Sequence, residues 1–429
     1  MLNRKRGKVR EKKIFRIFAI FLLIFGLHWQ LVKAENYYGM PNDYLRYGAG
    51  VRSLAMGGAY VGLADEASAP YWNPAGLTQI EENQFLSMYA PFFEQTSYNF
   101  LSYVNPLGRL GNLAISDVFL YSGGYEEVDE DGNILDTKQS IFNNAIIISY
   151  ANRIYRRLSL GANLKLIHER VMRYSGNSQG IDLGILYEPR DELSVGLVVQ
   201  NILQPKVTLI DDPNVYYTNV KGGVAFNTYY NRLTLTADIN KLVKEKAYFS
   251  AGLEISPWEK ATFSSLKRLD LRAGVNHLQS FTCGIGVKIN FLSLDYAFNI
   301  HKMGNLHRFG LTFCWGNIYK ARASPVLESG NTYRLGPSGE PLKFLIEMPS
   351  IAIEKWSLQI SDEEGKVVKA FETKKRKPKI IRWNLRDQKG KLVKNGYYYY
   401  EFTVIYENGR KWIDSGEIKL QYKEILPNQ

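Results

Sequence analysis

The middle of the chain alternates. Leu233, Leu235, Ala237 and Ile239 are interleaved with Thr234, Thr236, Asp238 and Asn240, and the same period of two runs through residues 249–255, 269–275 and 292–299. Period two with one continuous apolar face predicts strands, because successive side chains leave opposite faces of a sheet. Fourteen such segments follow one another between residues 84 and 316. They start near Phe85, Tyr98, Leu113, Phe142, Leu158, Ile181, Leu193, Val220, Leu233, Tyr248, Leu269, Phe281, Leu292 and His307. An even number returns both ends of the array to one side, as in a bacterial membrane barrel. Long connections (Gly123 to Gln139, Gln204 to Asn219) alternate loosely with tight ones such as that at Asn290. The apolar face ends in aromatics at Tyr150, Tyr187, Phe226, Phe298, Phe313 and Trp315, which suits interfacial girdles. A β-sandwich alternates as well, so strand number and the character of the polar face have to separate the two.

That polar face is unusual for an open pore. It carries Gly161, Gly184, Gly196, Gly223, Gly252, Gly274, Gly284 and Gly286, which leave room for something bulky. It also carries Lys165, Glu169, Asp182, Lys221, Asp238, Glu254, Asp270, Arg272, Lys288 and Asp295. Opposite charges on nearby strands are expected to knit the wall to whatever fills it. By parity Cys283 faces lipid and Cys314 the lumen, so the two are not expected to form a disulfide.

The ends of the chain change the reading of its charge. A basic stretch from Arg4 to Lys13, an apolar run from Ile17 to Leu27 and Val32-Lys33-Ala34 have the layout of an export signal cleaved after residue 34. Eleven apolar residues are too few to span a bilayer. Residues 1–34 hold nine Lys/Arg and one Glu, +8 of the net +12, so the mature chain is only about +4 and gives no sign of nucleic-acid binding. No run of 18 apolar residues follows. An exported chain with 29 Tyr and 36 Gly and no spanning helix is either a secreted β-protein or an outer-membrane barrel.

Ahead of the alternation lies "GAGVRSLAMGGAYVGLADEASAPYWNPAGL", ending at Leu77, which is neither an amphipathic helix nor an alternating strand. A small-residue segment fixed by Trp72 and Pro74 is a candidate plug. The segment resembles the N-terminal signature of the PorV/PorQ family within the FadL-like outer-membrane barrels, and "LSLDYAFN" at Leu292 to Asn299 resembles that family's penultimate strand. The resemblance covers roughly Tyr44 to Gly316. It implies an all-β fold: a fourteen-stranded transmembrane antiparallel β-barrel with an N-terminal hatch, in which Trp72, Asn73, Pro74, Ala75 and Gly76 are hatch residues. It leaves two functions. One is handling of exported proteins, as in type IX-like secretion; the other is a FadL-like diffusion channel for hydrophobic small molecules. The inward charges, Asp238, Glu254, Asp270, Arg272, Lys288 and Asp295 among them, disfavour a greasy path and favour protein handling.

Beyond Trp315 the pattern changes. Residues 317–340 have turn formers and little periodicity and read as a linker, and 341–422 read as short strands joined by Gly turns. Trp356, Trp383 before Asp387-Gln388-Lys389-Gly390, and Asn395-Gly396 before a Tyr run resemble a FlgD immunoglobulin-like domain. The resemblance implies a small periplasmic β-sandwich for interactions, with 423–429 a tail. The expected domains are therefore a signal at 1–34, a hatch at 35–83, a barrel at 84–316, and that module. The basic run from Lys374 to Lys379 reads as a solvated loop, with peptidoglycan, lipid head groups or a protein partner as the alternative.

Catalytic patterns are weak. "GAGVRS" at Gly48 has no preceding strand and no third Gly, and "DEDGN" at Asp129 is a hairpin tip rather than a calcium loop. H-E-x-x-H and C-x-x-C do not occur. The expectation is a protein without catalysis, cofactor or metal, whose partners are outer-membrane lipid, exported or periplasmic proteins or a hydrophobic ligand, and no nucleic acid.

Overall fold

Fourteen antiparallel strands close on themselves in the computed structural model. Residues 43–422 are described, apart from 93–94, 130, 229–231, 244, 260–265, 277–280, 301–304, 319, 328–331, 336–340, 350, 375–376 and 408–410. The expected signal at 1–34, the first residues of the expected hatch (35–42) and the tail at 423–429 lie outside the described residues.

The barrel strands are β1 (Asn83–Pro91), β2 (Thr96–Pro106), β3 (Asn112–Val128), β4 (Ile134–Tyr155), β5 (Leu158–Val171), β6 (Tyr174–Arg190) and β7 (Leu193–Gln200). A small hairpin, β8 (Lys206–Thr208) and β9 (Pro213–Val215), precedes β10 (Asn219–Thr228). There follow β11 (Leu233–Leu242), β12 (Tyr248–Glu259), β13 (Leu266–Val275), β14 (Phe281–Ile289), β15 (Leu292–Asn299) and β16 (Leu306–Trp315). Each strand pairs with its neighbour in the chain, and β1 pairs with β16 to close the ring, with Asn83 opposite Trp315. All fourteen segments read from the alternation lie in this barrel. Both barrel termini lie at one end, here the terminal end; the opposite rim is the loop end.

The period of two has become two surfaces. In β11, Thr234, Thr236, Asp238 and Asn240 are buried in the lumen, while Ile239 on the outside is 44% exposed. Leu183, Leu197, Phe249, Leu271, Leu294 and Phe309 are likewise exposed on the outer wall. A closed sheet has no free edge, and an apolar belt of this extent around it is the surface a bilayer covers. Cys283 lies on the outer face and Cys314 on the inner, both with free thiols.

Two expected loops are partly strand. Gly123 to Gln139 was expected to be a connection, but β3 runs to Val128 and β4 begins at Ile134, leaving a short tip. There Asp129 accepts hydrogen bonds from the amides of Asp131 (3.0 Å) and Asn133 (2.7 Å), which gives a turn its own scaffold. In Gln204 to Asn219 the β8–β9 hairpin folds into the mouth of the barrel. Val207 and Tyr216 are buried there, and Asn214 donates to the inward Glu169 at 2.9 Å.

Beyond the barrel, two sheets share one apolar core. Three strands, in the order β17 (Arg322–Pro325), β19 (Leu342–Glu347), β22 (Ile380–Trp383), form the first. Five form the second, in the order β18 (Thr332–Leu335), β24 (Lys411–Tyr422), β23 (Gly396–Tyr406), β20 (Ile353–Ser361), β21 (Val367–Lys374). Trp356, Trp383, Phe344, Phe402 and Tyr406 are buried between them. The stretch expected to be a linker, 317–340, instead supplies β17 and β18. Ala321 and Ala323 are buried in that core, and the β18 pairing with β24 is parallel. The unit sits against the terminal end of the barrel. Arg109, in the turn before β3, pairs with Glu407 at 2.5 Å, and Arg156, in the turn before β5, pairs with Glu354 at 3.4 Å. Lys377, within the basic run, is exposed and donates to the carbonyls of Pro349 (2.6 Å) and Ile351 (2.7 Å). Desolvation, and then the Arg109 cation, hold its ammonium below the usual lysine range.

Candidate functional site

Residues 43–80 fill the lumen. The segment begins at the loop end, where Arg46 forms a bidentate pair with Glu245 (3.0 and 3.1 Å) and the rings of Tyr44 and Tyr216 meet edge to face at 6.4 Å. It leaves at the terminal end, where Asn112 Nδ2 donates to the carbonyl of Ile80 at 2.8 Å. Between them the chain makes only short turns: a helical turn at Val51–Ala55, another at Ala69–Trp72 and a 3-10 helix at Pro74–Gln79. Its small side chains permit this compaction, and Ala49, Ala55, Ala59, Ala64, Ala67 and Ala75 are wholly buried.

The expected motif residues form the knot that fixes the segment. Asn73 is extended (φ −156°, ψ 106°), the conformation a following proline imposes. Its amide donates to the carbonyls of Val61 and of Ile185 on β6, both at 3.0 Å, and its Oδ1 accepts the amide of Ala75 at 3.1 Å. One side chain thus ties two turns of the hatch to the wall. Trp72 donates its indole N–H to Ala49 at 2.7 Å, and Lys221 lies over its ring at 5.4 Å. Pro74, Ala75 and Gly76 are buried in the same knot.

The inward glycines are where the hatch touches the wall. A Cβ on Gly184 would meet Pro74 Cδ at 2.9 Å, one on Gly252 the carbonyl of Met56 at 2.5 Å, and one on Gly284 the Cβ of Ala55 at 2.6 Å. Gly161, Gly196, Gly223 and Gly274 are likewise filled by hatch backbone. Gly286 is the exception; its space is taken by the side chains of Arg272 and Asp295.

Five of the six candidate charges act on one side of the hatch. Glu254 receives Arg52 of the hatch in a bidentate pair (2.7 and 2.8 Å) and also Arg272 at 2.7 Å. Arg272 reaches Asp270 at 3.3 Å and pairs with Asp295. Arg52 further donates to Asp65 at 2.6 Å and to the Tyr60 hydroxyl at 2.8 Å. Asp238 holds the hatch through its backbone: its Oδ2 accepts the amides of Tyr60 (2.7 Å) and Val61 (2.9 Å). Lys288 stands apart near the terminal end, 3.8 Å from Glu82.

The other side of the lumen is different, and the alternation did not show it. By register, the inward rows of β1–β4 at the loop half are Ala90, Tyr98, Leu120 and Asn143, then Met88, Phe100, Val118 and Ala145, then Leu86, Ser102, Ser116 and Ile147. No charge interrupts them, and Ser102 and Ser116 satisfy each other at 2.8 Å. The wall continues into Tyr47 and Phe92, whose rings pack edge to face at 5.1 Å. At its upper edge Arg308, Tyr44 and Tyr98 are buried, and Arg308 Nε and the Tyr98 hydroxyl have no hydrogen-bond partner among the described residues. Parity with Gly310 and Thr312 would have placed Arg308 inward. The lumen is therefore two-sided. Arg272, Glu254, Asp270, Asp295 and Asp238 are engaged in or beside the clamp on the hatch, and the wall opposite them is apolar and buried. Among the described residues no group of His, Cys, Asp and Glu is arranged to hold a metal.

Solved structures similar to this chain include the toluene transporter TodX of Pseudomonas putida, at 14% identity over 62% of this chain and 96% of that one, with a TM-score of 0.43. The toluene transporter TbuX of Ralstonia pickettii is similar at 13% over 62% and 97%, with 0.41, and a Pseudomonas aeruginosa FadL homologue at 8% over 62% and 98%, with 0.41. No protein-family model matches the chain, and no curated protein matches it.

Proposed function

We propose that this chain is an outer-membrane channel for hydrophobic small molecules, with the hatch as the element that shifts to admit them and the C-terminal unit on the periplasmic side. One observation carries the reading: the uncharged inward wall of β1–β4, from Ala90 and Tyr98 down to Leu86 and Ile147. A hydrophobic ligand needs a route whose walls do not ask it to replace hydration, and this is the stretch of lumen that offers one. The ionic clamp on β12–β15 would hold one flank of the hatch while the apolar flank, bound without hydrogen bonds to charged groups, gives way.

The test is uptake of an apolar fluorescent probe by cells or vesicles bearing the barrel. Met88→Asp and Phe100→Glu should abolish uptake while the folded, heat-modifiable band on gels persists. Unchanged uptake in both would sink the reading. The protein-handling alternative, PorV/PorQ-like, draws its support from the N-terminal motif and from the C-terminal unit with its resemblance to a FlgD-like module. Deleting residues 321–429 separates the two. If exported proteins then accumulate in the periplasm while probe uptake is unaffected by either wall substitution, the carrier reading replaces the channel.

A further inference from the structure

The apolar belt has one break. On the outside of β1–β4, register aligns Ser87, Leu101, Asp117 and Ile146 in one row and Tyr89, Asn99, Phe119 and Asn144 in the next. Asn144 Nδ2 lies 3.4 Å from Asp117 Oδ1, the carboxylate's hydrogen bond to another side chain among the described residues. Asp117 lies four residues from Leu113 at the terminal end of the belt and four from Tyr121 near its other edge, so it stands about 10 Å from either margin of a tilted strand's span. That is mid-depth in the hydrocarbon. At matching distances from the terminal end the other strands present Leu164, Leu197, Val224, Leu271, Ile285 and Leu311.

A carboxylate facing acyl chains at mid-depth has neither water nor a donor strong enough to hold its charge, and ionisable side chains in that position are kept for a use. Lipid tails offer it nothing. Lipid head groups stay at the margins. A second copy of this chain does not suit it either. Among the described residues no Lys, Arg or His faces outward at that depth, so a second copy would bring Asp117 no cation. The missing element is a donor, best a cation, delivered from another membrane-embedded chain.

We propose that the outer face of β1–β4 around Asp117 is the seat of a second membrane protein that presents a Lys or Arg side chain at mid-depth. Asn99, Asn144 and Ser87 would supply the surrounding acceptors. The seat is independent of what passes through the lumen, so its failure would leave the channel reading untouched.

The test places a photo-crosslinking amino acid at Leu101 or Ile146, on either side of Asp117, and at Leu271 as a control, in the full chain in its native outer membrane. A protein adduct is expected at 101 and 146 and not at 271. Its yield should fall about tenfold or more with Asp117→Asn, because the partner's cation would then be buried unpaired. Asp117→Lys combined with an acidic residue at the partner's basic position should restore it. Gel mobility before and after heating shows whether each variant has folded; should Asp117→Asn fail to fold, Asn144→Ala, which disturbs the same seat without touching the acid, replaces it. Labelling of lipid alone, an adduct with the mass of two copies of this chain, or a protein adduct indifferent to these substitutions would each overturn the proposal.

Discussion

Arg52 and Glu254 face each other across the boundary between hatch and wall, joined by two hydrogen bonds of 2.7 and 2.8 Å. The pair is the centre of a buried network in which Arg272 takes the second flank of Glu254. Removing one member of a buried pair typically costs about 3–5 kcal/mol, because the other is left charged and dry. Arg52→Ala should fall at the low end, near 3 kcal/mol, because Arg268 and Arg272 still face Glu254. The loss should appear as faster amide exchange in residues 58–66 with β12 and β13 still protected. Equal protection in the variant would mean that the clamp does not hold the hatch.

Gly222 and Gly223 offer a paired experiment on one strand. A Cβ on Gly223 would run into Asp238 and sit 2.8 Å from the amide of Gly62, whereas one on Gly222 would find its nearest neighbour at 3.7 Å on the outside. Gly223→Ala should displace the hatch at a cost of about 1–3 kcal/mol and raise conductance in planar bilayers. Gly222→Ala should behave as wild type. Identical traces from the two would contradict the close approach of hatch and wall.

Asn73 should respond to chemistry more than to size. Asn73→Ala abandons the carbonyls of Val61 and Ile185 and the amide of Ala75, at about 1 kcal/mol each. Asn73→Asp is the harsher change: it keeps the shape but sets a carboxylate against two carbonyl oxygens. Thermal loss of the heat-modifiable form should come earlier for Asp than for Ala, and the reverse order would remove the donor role assigned to this amide.

The outer wall has its own check. Leu271→Arg puts a cation at mid-belt and should cost about 2–4 kcal/mol of barrel stability, read from denaturant unfolding in detergent or lipid. A neutral result would argue that this face does not meet lipid.

The alternation from Leu233 to Phe298 was legible because one face there is polar and the other is not. On β1–β4 it fails for a physical reason: Leu86 and Met88 face inward while Phe85 and Tyr89 face outward, and polar residues such as Ser102 inside and Asp117 outside fall on both faces, so the sequence carries little contrast between them. The apolar half of the lumen was hidden in that uniformity. The glycines and inward charges were readable by parity, but their purpose was not, since Glu254 meets Arg52 from some 200 residues away. The strands at 317–340 escaped notice because β17 and β18 are four residues each and take their partners from β19 and β24. The far ends of β3 and β4 are not legible as strand in the sequence because, beyond the belt, polar residues such as Glu126 and Lys138 pair as well as apolar ones.

The course of the hatch sets an order of assembly. The chain comes in at the loop end, crosses the lumen, and becomes β1 at the terminal end, and β1 is one side of the β1–β16 seam. The strand that closes that seam is the last of the fourteen. Until it arrives the sheet is an open trough, and residues 43–80 can be laid along the glycines of β5 to β14 from the side. Once it has arrived, the same segment would have to be threaded lengthwise through a tube narrowed by its own inward side chains. Filling first and closing second avoids that threading, so the expected order is a hatch seated before β1 and β16 meet.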